Sequence, residues 1–170
     1  CLPADLLQSE TLRTLVDKTV DHFGRLDALV NNASSFYPTP FDDIDTAAWD
    51  DLIGSNLKAP LFLTQAAAAH LIASHGCVVN ITDIHAERPL AGYPLYCTAK
   101  AGLLGLTRAQ LGEHLRALDL PEREIRMRVN QLWNWIYFHG VPDFDRMLNV
   151  SKVLRARLAD HFTLARPEVV

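Results

Sequence analysis

Three residues with side chains suited to proton transfer lie close together in the sequence: Asp83, Tyr96 and Lys100. Tyr96 and Lys100 are four residues apart, so a helix would place both on one face. A cation about 4 Å from a phenolate, at an effective dielectric constant of about 20, stabilises it by about 4 kcal/mol. Such a lysine lowers the tyrosine pKa by up to about three units from about 10. The spacing predicts an acid–base site, with an ordinary amphipathic helix as the alternative.

A second candidate, Asn56, falls in the predicted buried stripe of a long helix, where its amide needs a hydrogen-bond partner. Pro60 has no N–H for the carbonyl four residues earlier, which is that of Asn56. A carbonyl released in this way needs another donor, and water is the simplest one. The alternative is that Asn56 only binds a neighbouring loop.

Periodic apolar residues predict the elements that position these side chains. The predicted helices span residues 9–23, 46–74 and 93–118, and the predicted strands lie within residues 26–34, 76–83 and 125–133. Ser9 is the predicted N-cap of the first helix, Gly24 its stop, and Pro94 suits the first turn of the third helix. Apolar strands that alternate with helices are typical of an α/β parallel sheet covered on both faces. Ligands bind at the carboxyl ends of such strands, where "NNAS" and "TD" occur.

The composition sets limits on the class of protein. The 170 residues suit one globular domain, and the net charge of -4, without long runs of like charge, argues against nucleic acid or a membrane as partner. The three cysteines show no metal-ligand spacing, so no metal site is predicted and a reducing cytoplasm is the expected location. Cys77 and Cys97 are predicted to be buried as small hydrophobic residues.

The motifs "LVNNAS", Asn56, "NITD" and Tyr-x-x-x-Lys occur in this order and together resemble the short-chain dehydrogenase/reductase family. That family uses an Asn, Ser, Tyr and Lys tetrad to move a hydride to or from a nicotinamide cofactor. Asn56, Tyr96 and Lys100 match three positions, and Asp83 stands at the serine position, as in pteridine reductases. "NNASSFYPTPF" and "DIHAERPLAGYPLY" also look like that subgroup, which includes bacterial dihydromonapterin and dihydrofolate reductases.

The resemblance implies the following catalytic roles. Tyr96 would donate a proton to the pterin while NADPH supplies the hydride, and Asp83 would position Tyr96. Lys100 would hold the nicotinamide ribose, and the carbonyl of Asn56 would hold a relay water. A general carbonyl reductase and a catalytically silent interaction module remain as alternative functions.

The resemblance also implies binding residues in the loops after the strands. Phe36 would stack on the pterin or, alternatively, anchor the loop on Phe41. Asp5 would approach the adenine or, alternatively, cap a turn. The remaining implied contacts are Ser34 and Tyr93 with the pterin, and Asn32, Ala33 and Ser34 with the cofactor.

The close resemblance covers residues 3–110, within one predicted domain over residues 1–170. Residues 119–145 diverge from the family, and residues 152–170 resemble its next helix and turn. The implied fold is a Rossmann-like doubly wound parallel sheet that is incomplete, because the first strands with their Gly-rich phosphate loop and the last strand are missing. Weak NADPH binding and an unpaired apolar edge at "DALVNNA" are therefore expected. The resemblance further implies a homo-oligomer, a dimer or tetramer, formed through the two long helices.

Overall fold

The computed structural model describes residues 1–164, and the chain divides into two compact units at the boundary between Thr107 and Arg108. The sequence predicted one domain over residues 1–170, so the division is a new feature. Within residues 1–164, no helix combines the length and apolar character that a membrane span requires.

The first unit is built from alternating helices and strands. Its elements are α1 (Ser9–Phe23), β1 (Ala28–Asn31), α2 (Thr46–Ile53), α3 (Ala59–Ser74), β2 (Cys77–Asn80) and α4 (Pro94–Ala117), whose last turns belong to the second unit. A π-helical turn, Gly54–Lys58, joins α2 to α3, and 3₁₀ turns lie at Phe41–Asp43 and Ile84–Ala86.

Helix α1 ends as predicted, but it does not begin with the predicted cap. Gly24 has a φ of 76° and its N–H donates to the carbonyl of Val20, which is the glycine C-cap geometry. The N-cap is Gln8 rather than Ser9. The carbonyl of Gln8 accepts hydrogen bonds from the N–H and the hydroxyl of Thr11, so the first turn closes one residue earlier.

Strands β1 and β2 form a two-stranded parallel sheet, paired from Ala28 with Cys77 to Asn31 with Asn80. The α/β class and the parallel pairing are therefore confirmed. Side chains of α1 and α3 form the adjoining core: Leu12, Val16, Ala59, Leu63, Ala67 and Leu71. In β1, Val30 remains 55% exposed, which is unusual for a strand of this apolar type. Cys97 is buried as predicted, whereas Cys77 is exposed, because the sheet leaves that face uncovered.

The predicted third strand is wrong, because residues 125–133 lie in a helix, α5 (Glu122–Trp133). Ile125, Val129 and Leu132 are all buried, and their spacing of four and three residues places them on one helical face. An i, i+4 ion pair between Arg128 and Glu124, 3.0 Å long, supports the same helix. Burial of one helical face stabilises the helix by more than the β-branched residues of this segment favour a strand.

The second unit is helical throughout its described part. A π-helical turn (Asn134–Phe138) and a 3₁₀ turn (Phe144–Arg146) follow α5, and α6 spans Lys152–His161 with a Ser151 cap. Its core consists of buried side chains from the end of α4 and the residue after it, from α5, from residues 144–150 and from α6: Leu115, Leu118, Ile125, Val129, Leu132, Phe144, Met147, Val150, Leu154 and Leu158. The turn predicted after this helix includes residues 165–170, which lie outside the described residues.

Candidate active site

The π-helical turn between α2 and α3 positions Asn56. The N–H of Ala59 donates to the carbonyl of Gly54, five residues earlier instead of four. The turn lies at the place where Pro60 was predicted to disturb the helix, and such turns are frequent at functional sites. A proline that withholds its N–H is compatible with this wider turn. The role of the Asn56 carbonyl as a water ligand stays a prediction.

The Asn56 side chain binds the loop after β1, as the alternative prediction proposed. Asn56 is 1% exposed, and its side-chain amide donates to the carbonyls of Ser35 and Leu52, both at 2.9 Å. Its Oδ1 accepts a hydrogen bond of 2.6 Å from the hydroxyl of Ser34. The buried amide therefore fixes the position of the candidate binding residue Ser34.

Asp83, Tyr96 and Lys100 come together at the carboxyl end of β2. The Tyr96 hydroxyl donates to Oδ2 of Asp83 at 2.7 Å. Lys100 is 4% exposed, and its Nζ donates to the carbonyl of Ile81 at 3.0 Å and lies 5.6 Å from the centroid of the Tyr96 ring. Helix α4 carries Tyr96 and Lys100 on one face, while the segment after β2 supplies Asp83 and Ile81.

The pKa of Tyr96 is raised, whereas the sequence predicted that Lys100 would lower it. Burial, followed by the hydrogen bond and the charge of Asp83, raises the pKa of Tyr96 above its ordinary value. Burial also lowers the pKa of Lys100, an effect that Asp83 partly offsets. The partner of the phenol is a carboxylate and not the ammonium group, which is bound to a carbonyl. In this arrangement the phenol holds its proton at neutral pH.

Asp83 stays ionised beside that phenol. The N–H of His85 donates to Asp83 and is the largest cause of its lowered pKa, followed by the Tyr96 hydroxyl. The site thus presents a protonated phenol hydrogen-bonded to a carboxylate, an arrangement that can release one proton and take up another.

Replacing Asp83 by Asn is expected to lower the pKa of Tyr96, because a neutral amide favours the phenolate more than a carboxylate does. The measurement is an ultraviolet titration of tyrosinate, with the Tyr96→Phe curve subtracted to isolate this residue. An unchanged or higher Tyr96 pKa in Asp83→Asn would show that the carboxylate does not control the phenol.

An aromatic wall stands over this pair. Phe36 stacks on Tyr93 with ring centroids 4.7 Å apart and planes inclined by 13°, and it meets Tyr96 edge-on at 4.7 Å. Phe36 is 53% exposed, so part of its ring next to Tyr96 is open to a ligand. The described ring contacts of Phe36 are with these two tyrosines and not with Phe41, which was the alternative anchor.

The candidate cofactor residues are only partly brought together. Asn32 and Ala33 line a cavity of about 340 Å³ at the end of β1, together with Ser55 and Pro60. Asp5 takes the alternative role: its carboxylate accepts from the N–H of Leu7 and the amide of Gln8, and so caps the turn before α1. Its contact with the adenine stays a prediction.

A nicotinamide cofactor has two ends, and this chain fits one of them. The buried Lys100 amine and the adjacent phenol of Tyr96 fit the nicotinamide ribose. The pyrophosphate needs free N–H groups at a Gly-rich turn. Among the described residues, no turn of the G-x-G-x-x-G type precedes a helix. The residues of this chain therefore fit the nicotinamide end of the cofactor and not its pyrophosphate.

Sequence reasoning missed a chain of amides under the site. The Asn31 amide donates to Oδ1 of Asn80 at 2.7 Å, and the Asn80 amide donates to the Thr107 hydroxyl at 3.0 Å. These bonds join β1, β2 and α4, the elements that carry the candidate residues. The available signal was an asparagine at the end of each strand. The described residues hold no cluster of three or more side chains suited to a metal.

Two family models match this chain, and their matches overlap at residues 101–127, a segment that includes the boundary between the two units. The model described as short chain dehydrogenase matches residues 1–127. The model described as ribosomal RNA large subunit methyltransferase N-terminal domain matches residues 101–164. The divergent residues 119–145 lie within this second match. So do residues 152–164, which sequence analysis had compared with the first family's next helix.

Solved structures resemble the first match. A putative short-chain alcohol dehydrogenase from Sinorhizobium meliloti 1021 is 33% identical, with a TM-score of 0.63, over 66% of this chain and 45% of that one. A metagenomic short-chain oxidoreductase, described as in complex with NADP, is 35% identical with a TM-score of 0.60, over 67% of this chain and 52% of that one. The chain thus spans about half the length of these proteins.

Curated relatives carry the name of the second family. The dual-specificity RNA methyltransferase RlmN of Rhizobium etli is 50% identical over 84 residues, which are 49% of this chain and 20% of that protein. The RlmN of Beijerinckia indica is 62% identical over 68 residues, 40% of this chain and 17% of that protein. The chain therefore spans about a fifth of these relatives.

Proposed function

This chain belongs to the short chain dehydrogenase family, and we propose that it acts in the NADPH-dependent reduction of a pterin, either a dihydropterin or a dihydrofolate. One observation carries the substrate class: the Tyr96 hydroxyl donates to Asp83 at 2.7 Å beside the exposed ring of Phe36. A flat heteroaromatic ring can stack on Phe36 with its nitrogens next to the phenol and carboxylate. A simple carbonyl compound needs only the phenol.

Tyr96 is the proposed proton donor, because its raised pKa keeps the hydroxyl protonated at neutral pH. When the proton moves to a ring nitrogen of the substrate, a phenolate is left beside the Asp83 carboxylate. Lys100 offsets part of the repulsion between these two anions. Asp83 is partly exposed, so it can take up a proton from solvent and return it to the phenolate.

The proposed cofactor is NADPH, which supplies the hydride when it is bound. Lys100 is the proposed ligand of the nicotinamide ribose, with Asn32, Ala33 and Ser34 beside it in the loop after β1. The relative described as in complex with NADP supports the choice of the phosphorylated cofactor. The cytoplasm is the proposed location of this reaction.

Replacing Phe36 by Ala is expected to raise the KM for a dihydropterin and to leave kcat almost unchanged. Loss of one stacking face costs about 0.5–1.5 kcal/mol, which is roughly a two- to tenfold change in KM. Phe36→Leu, which keeps an apolar side chain without a flat ring, is the matched variant and should show most of the same effect. The measurement is NADPH oxidation at varied substrate concentration.

The same assay separates the proposed reaction from its alternatives. A panel of dihydropterins and simple ketones or aldehydes should show turnover of the pterins. Preferential turnover of carbonyl compounds, with no effect of Phe36→Ala, would identify a general carbonyl reductase. No turnover of any substrate would favour a silent interaction module.

A homo-oligomer, a dimer or tetramer, is the proposed assembly of the first unit. Helix α3 leaves Leu61, Phe62 and Ile72 exposed, and α4 is the second long helix. Exposed apolar side chains along a helix are typical of an interface between copies.

The second unit has a separate candidate function, which is RNA binding. The methyltransferase N-terminal domain model matches residues 101–164, and curated relatives of the chain are named RNA methyltransferases. The charge of the chain is also unevenly distributed: residues 1–107 hold six Lys and Arg against twelve Asp and Glu, whereas residues 108–164 hold nine against seven. The whole-chain charge, which argued against nucleic acid, conceals this positive unit. Binding of RNA by the purified chain tests this function.

A further inference from the structure

We propose that one face of α5 and the π-helical turn after it is the RNA-binding surface of the second unit, with Arg123 and Arg126 as its phosphate ligands. This inference rests on the proposed RNA binding and names the site. The surface is a cleft of about 710 Å³. It lies within the second unit, on the side of α5 away from the buried Ile125 and Val129.

The side chains of this cleft form a regular stripe. Arg123, Arg126, Asn130 and Asn134 follow one another at intervals of three, four and four residues, so they share one helical face. No carboxylate is among the described residues that line the cleft. The cleft therefore offers guanidinium donors and side-chain amides without an internal negative charge. This is the chemistry that binds phosphate and sugar oxygens.

Other cations of the second unit are already neutralised. Arg116 pairs with Glu113 and Glu122 at 2.8 Å, and Arg128 pairs with Glu124 at 3.0 Å. The two glutamates at the start of α5, Glu122 and Glu124, are thus paired with arginines other than Arg123 and Arg126. Arg123 and Arg126 are exposed and belong to none of the ion pairs found among residues 1–164.

An aromatic pair at the end of the stripe favours a single strand over a duplex. Trp133 lines the cleft, and the guanidinium of Arg108 lies 4.5 Å from the centroid of its ring. Tyr137 stacks on Trp133 at 4.1 Å and is 57% exposed. This exposed ring lies against the cleft residue Trp133 and can stack an unpaired base. The occupant that fits is a single-stranded or looped RNA segment.

The test measures binding of the whole chain to a short fluorescein-labelled single-stranded RNA by anisotropy, at several salt concentrations. Arg123→Gln with Arg126→Gln should weaken binding at least tenfold. The loss of two phosphate contacts to a single strand should also reduce the magnitude of the slope of log K against log salt by about 1.4, at about 0.7 for each contact. Tyr137→Ala should weaken binding about fivefold or more and leave the slope unchanged. Circular dichroism checks that each variant keeps its helices.

The matched control is Arg146→Gln with Lys152→Gln, which removes two positive charges outside the cleft from the same unit. Its binding should stay close to that of the unchanged chain. Equal losses of affinity in the two double variants would overturn the assignment, because a general effect of positive charge would then explain the binding.

If the unchanged chain binds RNA and the cleft variant binds equally well, RNA binding stands and this surface is wrong. If the unchanged chain binds no RNA, both proposals fail. A labelled hairpin that binds more tightly than the single strand would contradict the stacking role of Tyr137.

Discussion

Replacing Tyr96 by Phe is expected to reduce NADPH-dependent turnover of a dihydropterin by about 10²–10⁴-fold, the usual contribution of a positioned acid. The hydroxyl is the proposed proton source, whereas the ring forms the edge contact with Phe36 and fills a site that is only 5% exposed. Phenylalanine keeps the ring, so the fold and the aromatic wall should be retained. The measurement is kcat at saturating substrate, together with cofactor binding by nucleotide fluorescence.

Tyr37→Phe is the matched control for this variant. Burial, followed by a hydrogen bond to Asp51 and the charge of Asp51, raises the pKa of Tyr37, so this substitution also removes a phenol next to a carboxylate. Tyr37 lies outside the proposed proton path, and its loss should leave kcat nearly unchanged. Near-normal turnover of Tyr96→Phe would show that another group supplies the proton.

Replacing Gly76 by Ala is expected to destabilise the first unit by about 1–3 kcal/mol, which is the usual cost of overpacking. A Cβ at this position would lie 2.5 Å from the carbonyl oxygen of Asp27 and 2.9 Å from a methyl group of Leu71. The same Asp27 carbonyl accepts the N–H of Cys77, where the pairing of β1 with β2 begins. The added methyl group therefore forces the strands apart at their first bond.

Thermal unfolding measures this effect, and Gly105→Ala is its control. A Cβ at Gly105, on the exposed side of α4, would have no neighbour within 4 Å, and alanine favours a helix by up to about 1 kcal/mol. Gly105→Ala should therefore keep or raise Tm, and Gly76→Ala should lower it by roughly 3–10 °C. Equal Tm values for the two variants would mean that β1 and β2 do not approach as closely as described.

Several features of the first unit could be predicted because they depend on neighbours in the sequence. The four-residue spacing of Tyr96 and Lys100 decides their common helical face, and Pro60 decides where the helix before it widens. The apolar runs at β1 and β2 likewise predict the two strands from their own residues. Such features need no knowledge of distant contacts.

The helix α5 shows where this approach failed. Its apolar residues suggested a strand, although Ile125, Val129 and Leu132 also have helical spacing. The segment is helical because these three side chains pack into a core made by residues more than twenty positions away, including Leu154 and Leu158. Burial decides between two local patterns that the sequence leaves close in energy.

By itself, the sequence determined which groups meet at the candidate site: a phenol, an ammonium and a carboxylate at the end of an apolar strand. Only the tertiary structure decided how they act on one another. It places the Tyr96 hydroxyl on Asp83 and the Lys100 amine on the carbonyl of Ile81, which reverses the predicted shift of the Tyr96 pKa. The reason is that a pKa depends on burial and on distances of a few ångströms, and neither is encoded in residue spacing.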